Sequence, residues 1–400
     1  MSIPSLSDYR KVVGRNVIEE LYILASHVGD RSIKMINSTA VGGGVAEMLH
    51  RVVPLLNELG VKARWEVIKG GDDFFDITKA FHNALQGQEQ KIPPTMLENY
   101  LEVNRENAQN ISLDADFVVI HDPQPAALIQ YRPPKGKWIW RCHIDVSQPQ
   151  RKVWDFLRQF VVSYDGTIFS LPRFAQRLPI PQFLIHPSID PLSDKNRDLT
   201  PEEQQEILRR LEVSTDKPIL LQVSRFDRFK DPLGVIQAYR LVKKHHDLRL
   251  VLAGGGATDD PEGETVLEEV REAAQDDPDI QILLLPPDAY LEINALQRAA
   301  AIVLQKSLRE GFGLTVAEAM WKGKPVIGGF TGGITVQLVY GVTGFTVNSV
   351  EGAAFRIHHL LDNPEVMNKM GQDAREFVRR NFLITRHLGD YLALINYVGC

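Results

Sequence analysis

The chain has 400 residues, 44% of them apolar and 24% charged, which is enough for two globular domains with separate cores. A formal charge of −6 excludes the overall basic field of a protein whose main partner is nucleic acid. With two cysteines, Cys142 inside an apolar run and Cys400 at the last position, neither a disulfide framework nor a cysteine zinc site is expected, and a reducing cytoplasm fits. The first ten residues lack the charged and apolar regions of a signal peptide, and no segment approaches the length of a membrane span.

Short runs rich in Val, Ile and Leu alternate with helix-period segments along the whole chain, the pattern of parallel sheets covered by helices on both faces. In the first half strands are predicted at 33–37, 63–68, 117–121, 138–141, 166–170 and 182–185. In the second half they are predicted at 219–224, 249–253, 280–285, 302–305, 325–328 and 344–347. The fold class is therefore α/β, with two doubly wound, Rossmann-like domains. The boundary is expected in the proline-interrupted polar run from His186 to Arg197, giving domains at 1–190 and 191–381. The stretch 85–110 is polar and helix-prone without a following strand in phase, and reads as helical excursions available for a subunit contact. The last segment, 382–400, is amphipathic with no strand after it, and is expected to return to the first domain.

The densest chemistry lies from Ser307 to Lys324. Glu310 and Glu318 stand eight positions apart around the turn Gly311, Phe312, Gly313, which opens a helix at Leu314 and Thr315. Amides at Gly313, Leu314 and Thr315 are free at such a helix start, and the helix dipole favours a phosphate there. Glu310 can accept hydrogen bonds from sugar hydroxyls, and Glu318, on the second turn, from both hydroxyls of a ribose. The competing assignment is a capping box, in which Glu318 only satisfies the amide of Thr315.

Five further clusters sit where predicted strands end, the side on which open α/β sheets bind ligands. Gly42, Gly43 and Gly44 follow the first strand and open a helix, so the backbone there can approach an anion; a simple tight turn is the alternative, since this is not the spaced dinucleotide fingerprint. Arg225 and Lys230 follow the first strand of the second half with charge suited to a diphosphate; the alternative is two solvated cations paired with Asp227 or Asp231. Gly254, in the run Gly254, Gly255, Gly256, leaves room for a nucleoside. In the first half, His121, Asp122 and Gln124 follow one strand, and Arg141, His143 and Asp145 end the next. This set suits a polyhydroxylated acceptor. A metal site at the two histidines lacks an evident third ligand and a helical zinc spacing.

On these motifs the chain resembles the retaining, nucleotide-sugar-dependent glycosyltransferases with two facing Rossmann-like domains, the family that includes sucrose synthases and bacterial mannosyltransferases. The resemblance covers essentially the whole chain and rests most specifically on Glu310 and Glu318, with Arg225, Lys230 and the Gly42 to Gly44 loop in support. Asn37 to Leu49, Asp122 to Pro125, Trp140 to Asp145 and Pro187 to Asn196 resemble the trehalose-forming, glycosyltransferring branch of that family. The resemblance implies an interdomain cleft, a nucleoside diphosphate glucose such as UDP-glucose or ADP-glucose as donor, free glucose as acceptor, and a homodimer.

It further implies roles for matching residues. Glu310, Arg225, Lys230 and His121 would act at the reacting bond. Gly42, Gly43, Gly44, Gly254, Phe312, Gly313, Leu314, Thr315 and Glu318 would hold the donor, and Asp122, Gln124, Arg141, His143 and Asp145 the acceptor. No cofactor or metal is required by the sequence, and neither nucleic acid nor membrane is expected as partner. A lipid or polysaccharide acceptor and a non-catalytic sugar- or nucleotide-binding role are the competing assignments. The segment 11–24 is the place to look for a membrane-surface helix.

Overall fold

The computed structural model describes residues 4–41, 43–255, 261–275 and 277–399. Gly42, Gly256 and Cys400, which the sequence brings forward, lie outside them. The chain divides into two compact units, Met1–Pro187 with Ile384–Cys400, and Ser188–Leu383.

The first unit contains six strands, β1 (Ser32–Asn37), β2 (Lys62–Val67), β3 (Phe117–His121), β4 (Lys137–Cys142), β5 (Gly166–Phe169) and β6 (Gln182–Leu184). They pair in parallel in the order β2-β1-β3-β4-β5-β6. The second unit repeats the plan with β7 (Ile219–Val223), β8 (Arg249–Gly254), β9 (Ile280–Leu284), β10 (Ile302–Gln305), β11 (Val326–Gly329) and β12 (Gly344–Val347), in the order β12-β11-β10-β7-β8-β9. All twelve predicted strands are present, each end within one residue of its expected place. Strands such as β3 and β7 are buried at every position, as parallel strands with helices on both faces must be.

Strand order fixes where ligands can sit. In the second unit the chain runs from β7 outward to β9, then returns to place β10 on the other side of β7. The connections leaving β7 and β10 therefore diverge and leave a crevice at the strands' carboxyl ends, the topological switch point. The first unit has its own reversal between β1 and β3. Both glycine-containing loops and most polar residues brought forward by the sequence lie at these two positions.

The stretch 85–110 is largely helical, as expected, and a strand follows it. Helix Pro94–Asn110 is an integral part of the crossover from β2 to β3, since Tyr100 is wholly buried with Phe74, Phe81, Phe156 and Phe160 around it. Its buried polar side chains serve the backbone: Asn104 Nδ2 donates to the carbonyls of Tyr100 (2.9 Å) and Gln124 (3.1 Å), and Asn107 bonds both the N–H and the carbonyl of Lys69. Helix Arg15–Val28, which includes most of segment 11–24, turns Leu21 inward against the C-terminal helix Ile384–Val398, where Asn396 Nδ2 donates to the carbonyl of Leu24 (2.9 Å). Among the described residues no helix is long and apolar enough to cross a membrane.

At the end of β8 the backbone of Gly254 passes so close to β7 that a Cβ there would lie 1.7 Å from the carbonyl oxygen of Ser224. Gly254→Ala is expected to lower the stability of the protein by about 1–3 kcal/mol, because backbone rather than a movable side chain must yield. Gly44→Ala, with nothing within 4 Å of the added carbon, is expected to leave it unchanged. Urea midpoints of the two variants check both.

Candidate functional site

In the second unit the switch point brings two distant segments to one spot. Gln222, near the end of β7, donates from Nε2 to the carbonyl of Lys230 (2.7 Å), and Asp227 accepts from the amide of Lys230 through Oδ1 (3.1 Å). These bonds fold the loop after β7 into a short turn, Arg228–Lys230, and aim the lysine at the loop after β10. There Lys230 Nζ meets Glu310 Oε2 at 2.8 Å, with both side chains largely withdrawn from solvent. The same carboxylate oxygen accepts from Ser307 Oγ (3.1 Å) and Gln305 Nε2 (3.3 Å). A largely buried carboxylate held by three donors is fixed in place.

The Glu310 loop is held from below by residues that the sequence reading did not single out. Gly332 and Gly333 lie against it so closely that a Cβ on Gly332 would be 1.9 Å from the carbonyl oxygen of Glu310, and one on Gly333 2.4 Å from that of Phe312. Gln337 Nε2 donates to the carbonyl of Phe312 (2.7 Å). Gly313 then takes a left-handed conformation (φ 78°) and opens helix Leu314–Trp321, whose first-turn amides at Leu314 and Thr315 have no intrahelical acceptor. Phe312 is buried, and its ring lies 5.7 Å from that of Phe382.

Glu318 is not part of a capping box, since helix Leu314–Trp321 starts at Gly313 without a side-chain cap. It is 6% exposed and lies 3.7 Å from Lys195 Nζ, which also sits over the ring of Tyr290. Lys195 belongs to the 187–196 run noted in the sequence. Asn196 from that run accepts from Trp321 Nε1 (3.2 Å) and Lys322 Nζ (2.9 Å), which anchors it along the helix carrying Glu318. Burial pulls the Lys322 pKa down to about 7.

Arg225 and Lys230 have different surroundings. Arg225 is 66% exposed at its side chain and pairs with Asp227 (3.1 Å), as the surface-cation alternative had it. Lys230 pairs with Glu310 instead, and Asp231 with Lys306. Asp231 also begins helix Pro232–Lys243 in a left-handed conformation (φ 52°), accepting from the amide of Gly234 (3.1 Å).

In the first unit His121 and Asp122 end β3, and Arg141 and His143 end the neighbouring β4. His121 Nδ1 and His143 Nε2 share a hydrogen bond of 3.0 Å with their rings stacked. Asp122, at φ 66°, accepts from the amide of His143 (2.8 Å) and has its own carbonyl capped by Trp140 Nε1 (2.9 Å). Burial pushes the Asp122 pKa up to about 7, against the opposing pull of the His143 amide and Arg141. Burial, reinforced by Arg141, pushes His121 down to about 3, and His143 is lowered by the same causes. Both imidazoles are neutral at physiological pH, and His121 Nε2 is buried without a partner.

Arg141 is wholly buried, donating to the carbonyls of Ile185 (2.7 Å) and Phe169 (3.3 Å) and so tying the ends of β4, β5 and β6 together. Its position is that of a clamp behind the histidines. Gln124 gives its carbonyl to Asn104 while its side-chain Oε1 stays buried and unpartnered. Asp145 accepts from the amide of Ser147 (2.9 Å) and lies 3.7 Å from Arg173. Gly43 and Gly44 open helix Gly43–Glu58 directly after β1.

The sequence reading missed His387 and Tyr391, which the C-terminal helix brings to the same end of this sheet. His387 shares a hydrogen bond with the carbonyl of His186 (3.1 Å), its Nε2 and the Tyr391 hydroxyl are buried without partners, and the field of Arg141 acts on both side chains. Buried donors and acceptors left unmatched are costly, so these groups stand out from the rest of the core.

Residues 35–176 match the family model described as trehalose synthase, N-terminal domain, and residues 203–377 match glycosyl transferases group 1. The chain is 48% identical to the trehalose synthase of Pyrococcus horikoshii over 98% of its own length and 96% of the relative's. It is 41% identical to the trehalose synthase of Rubrobacter xylanophilus over the same shares. Its fold is similar to the crystal structure of a UDP-forming α,α-trehalose-phosphate synthase from Burkholderia xenovorans in complex with glucose-6-phosphate, with a TM-score of 0.70 at 15% identity, covering 91% of this chain and 99% of that one. With the two parallel-sheet units and the Lys230 and Glu310 constellation, these likenesses show that the chain is a glycosyltransferase and belongs to the trehalose synthase family.

Proposed function

We propose that the protein is a retaining glucosyltransferase that makes trehalose from a nucleoside diphosphate glucose and free glucose. The observation that carries this reading is the Lys230 and Glu310 pair at the β7/β10 switch point, beside the open amides of helix Leu314–Trp321. A diphosphate at that helix start would take Lys230 and Arg225 as counter-charges, while Glu310 would accept hydroxyls of the donor glucose and Glu318 those of the ribose. Gly254 gives the nucleoside a surface without a side chain, and Gly43 and Gly44 offer amides to the donor as the family resemblance implies.

Breaking the bond to the diphosphate builds negative charge on the leaving oxygen and positive charge on the sugar. Fixed cations and amides at the leaving group favour that transition state over the bound donor. Retention follows if the acceptor attacks from the face the diphosphate leaves, with the leaving oxygen taking the acceptor's proton. His121 would steady the donor sugar, and Asp122, Gln124, His143 and Asp145 would receive the acceptor hydroxyls, with Arg141 beside them.

We read the acceptor as an uncharged sugar. The groups buried without partners in the first unit include His121 Nε2, His387 Nε2, the Tyr391 hydroxyl and the Nε atoms of Arg141 and Arg386, a set that glucose hydroxyls would complete.

Incubation of the purified protein with glucose and, separately, UDP-, ADP- or GDP-glucose is expected to release nucleotide and give a non-reducing α,α-linked disaccharide. Glu310→Ala is expected to lower turnover by about a hundredfold or more in a folded protein. Nucleotide release without disaccharide would overturn the acceptor, and near-normal turnover of the variant would overturn the site.

Lys230→Ala is expected to reduce kcat by a larger factor than it raises the donor KM, because the charge matters most as the bond breaks. Steady-state kinetics with varied donor separates the two constants, and a change confined to KM would contradict the assignment.

Asp122 gives a pH dependence. Its folded pKa of about 7 lies above the ordinary carboxylate value of 3.8, so its contribution to stability is fully present below pH 3.8 and is lost as pH rises towards 7. Relative to Asp122→Asn, the natural protein is expected to lose stability from pH 4 to 7 and to run parallel to the variant above pH 8. Urea midpoints at pH 5, 7 and 8.5 measure this, and parallel curves throughout would mean that Asp122 is ordinarily acidic.

A further inference from the structure

In the second unit, away from the Glu310 loop, helices Pro232–Lys243 and Val350–Asp362 lie against one another and end side by side. His358 and Asp362 are four positions apart on the last turn of the second helix, so they share one face. The turn after the first helix is fixed by bonds from the amides of His245 (3.0 Å) and His246 (3.1 Å) to the carbonyl of Val242, which turns His246 toward that face. His246 Nε2 lies 3.4 Å from Asp362 Oδ1, and one ligand atom from each of His246, His358 and Asp362 falls within 4.8 Å of the others. The ring of His245 is 5.4 Å from that of His358.

We propose that His246, His358 and Asp362 form a binding site for one divalent transition-metal ion of the kind that prefers imidazole, with Zn2+ as the reference ion. Two imidazole nitrogens and a carboxylate oxygen are the donor set such ions take in preference to Mg2+ or Ca2+, which require more oxygens. Metal–ligand bonds of about 2.0–2.1 Å put neighbouring ligand atoms of a tetrahedron about 3.3 Å apart, which the His246 and Asp362 pair already matches. His358 brings a ring nitrogen to within 4.8 Å of the other two ligand atoms. The carbonyl ends of both helices face this corner, and their partial negative charge favours a cation there. Three protein ligands leave one position for water or for His245.

The three residues are at the surface, with Asp362 62% exposed at its side chain, so the ion would exchange with solvent. Bound, it would staple the far end of helix Pro232–Lys243, whose other end begins at Asp231 beside Lys230. Without metal the same groups reduce to an ordinary surface contact between His246 and Asp362.

The test uses the full-length protein without a histidine tag, freed of metal by a chelator and titrated at pH 7.5 with CoCl2 and then ZnCl2. One equivalent of Co2+ is expected to bind with the visible absorption of a four- or five-coordinate ion, to be displaced by Zn2+, and to be unaffected by excess Mg2+. The melting temperature should rise with Zn2+ by linkage. His246→Ala and His358→Ala are each expected to weaken Zn2+ binding by about tenfold or more while keeping the circular dichroism of the natural protein, and His359→Ala, whose ring packs on Phe345, should bind as the natural protein does. No saturable uptake below about 1 mM, or unchanged affinity in both His246→Ala and His358→Ala, overturns the proposal.

Discussion

The salt bridge from Lys230 to Glu310 joins residues eighty positions apart, and the architecture of the second unit provides for that meeting. It needs β10 beside β7, which the reversal of strand order supplies, and it needs both connecting loops to be stiff at the carboxyl ends of those strands. Gln222 and Asp227 stiffen one loop, and Gln305, Ser307 and the Gly332 and Gly333 turn stiffen the other. With both sides fixed, the lysine is held in a half-buried position where its charge is poorly screened and where a long, flexible side chain would otherwise move freely.

Close backbone approach is the recurring means. Gly254 against Ser224, Gly332 against Glu310 and Gly333 against Phe312 each replace a side chain with a carbonyl at contact distance. Such positions do not stabilise the fold by burying apolar area. They set the spacing between strand ends and loops, and in the proposed function a loop that meets a phosphate with its amides would carry no side chains in the way.

Much of this was legible in the sequence, for a physical reason. Parallel strands covered on both faces are continuous apolar runs, so all twelve could be located, and the loops after them followed. Helix Pro94–Asn110 was legible as a helix but its inward face was not, because its buried asparagines look like solvent-facing polar residues until their backbone partners are known. Lys195, His387, Tyr391 and Gln337 carry no local pattern at all. They reach their places through tertiary return of the chain, from the run before helix Pro201–Arg210, from the C-terminal helix and from the short turn after β11. Arg225 and Lys230 look alike in sequence, five positions apart, and only the loop geometry separates an exposed pair with Asp227 from a withdrawn pair with Glu310.

The two units manage charge in opposite ways, and the contrast bears on the reaction proposed. Around Glu310 the charges are present and paired at close range. Around His121 ionisation is suppressed: both imidazoles are neutral, Asp122 is raised to about 7, and the arginines are held by carbonyls and carboxylates. Burial is the largest cause in each of the three shifted groups, so the suppression comes from exclusion of water more than from any one neighbour. A region of that kind suits the uncharged acceptor of the proposed reaction, whose hydroxyls pair with neutral donors and acceptors. Imidazoles whose pKa is lowered are weak bases, so the two histidines offer an acceptor hydroxyl little general-base help. In the proposed reaction, proton transfer to the leaving oxygen is then a consequence of this division of charge, and no separate catalytic base is needed.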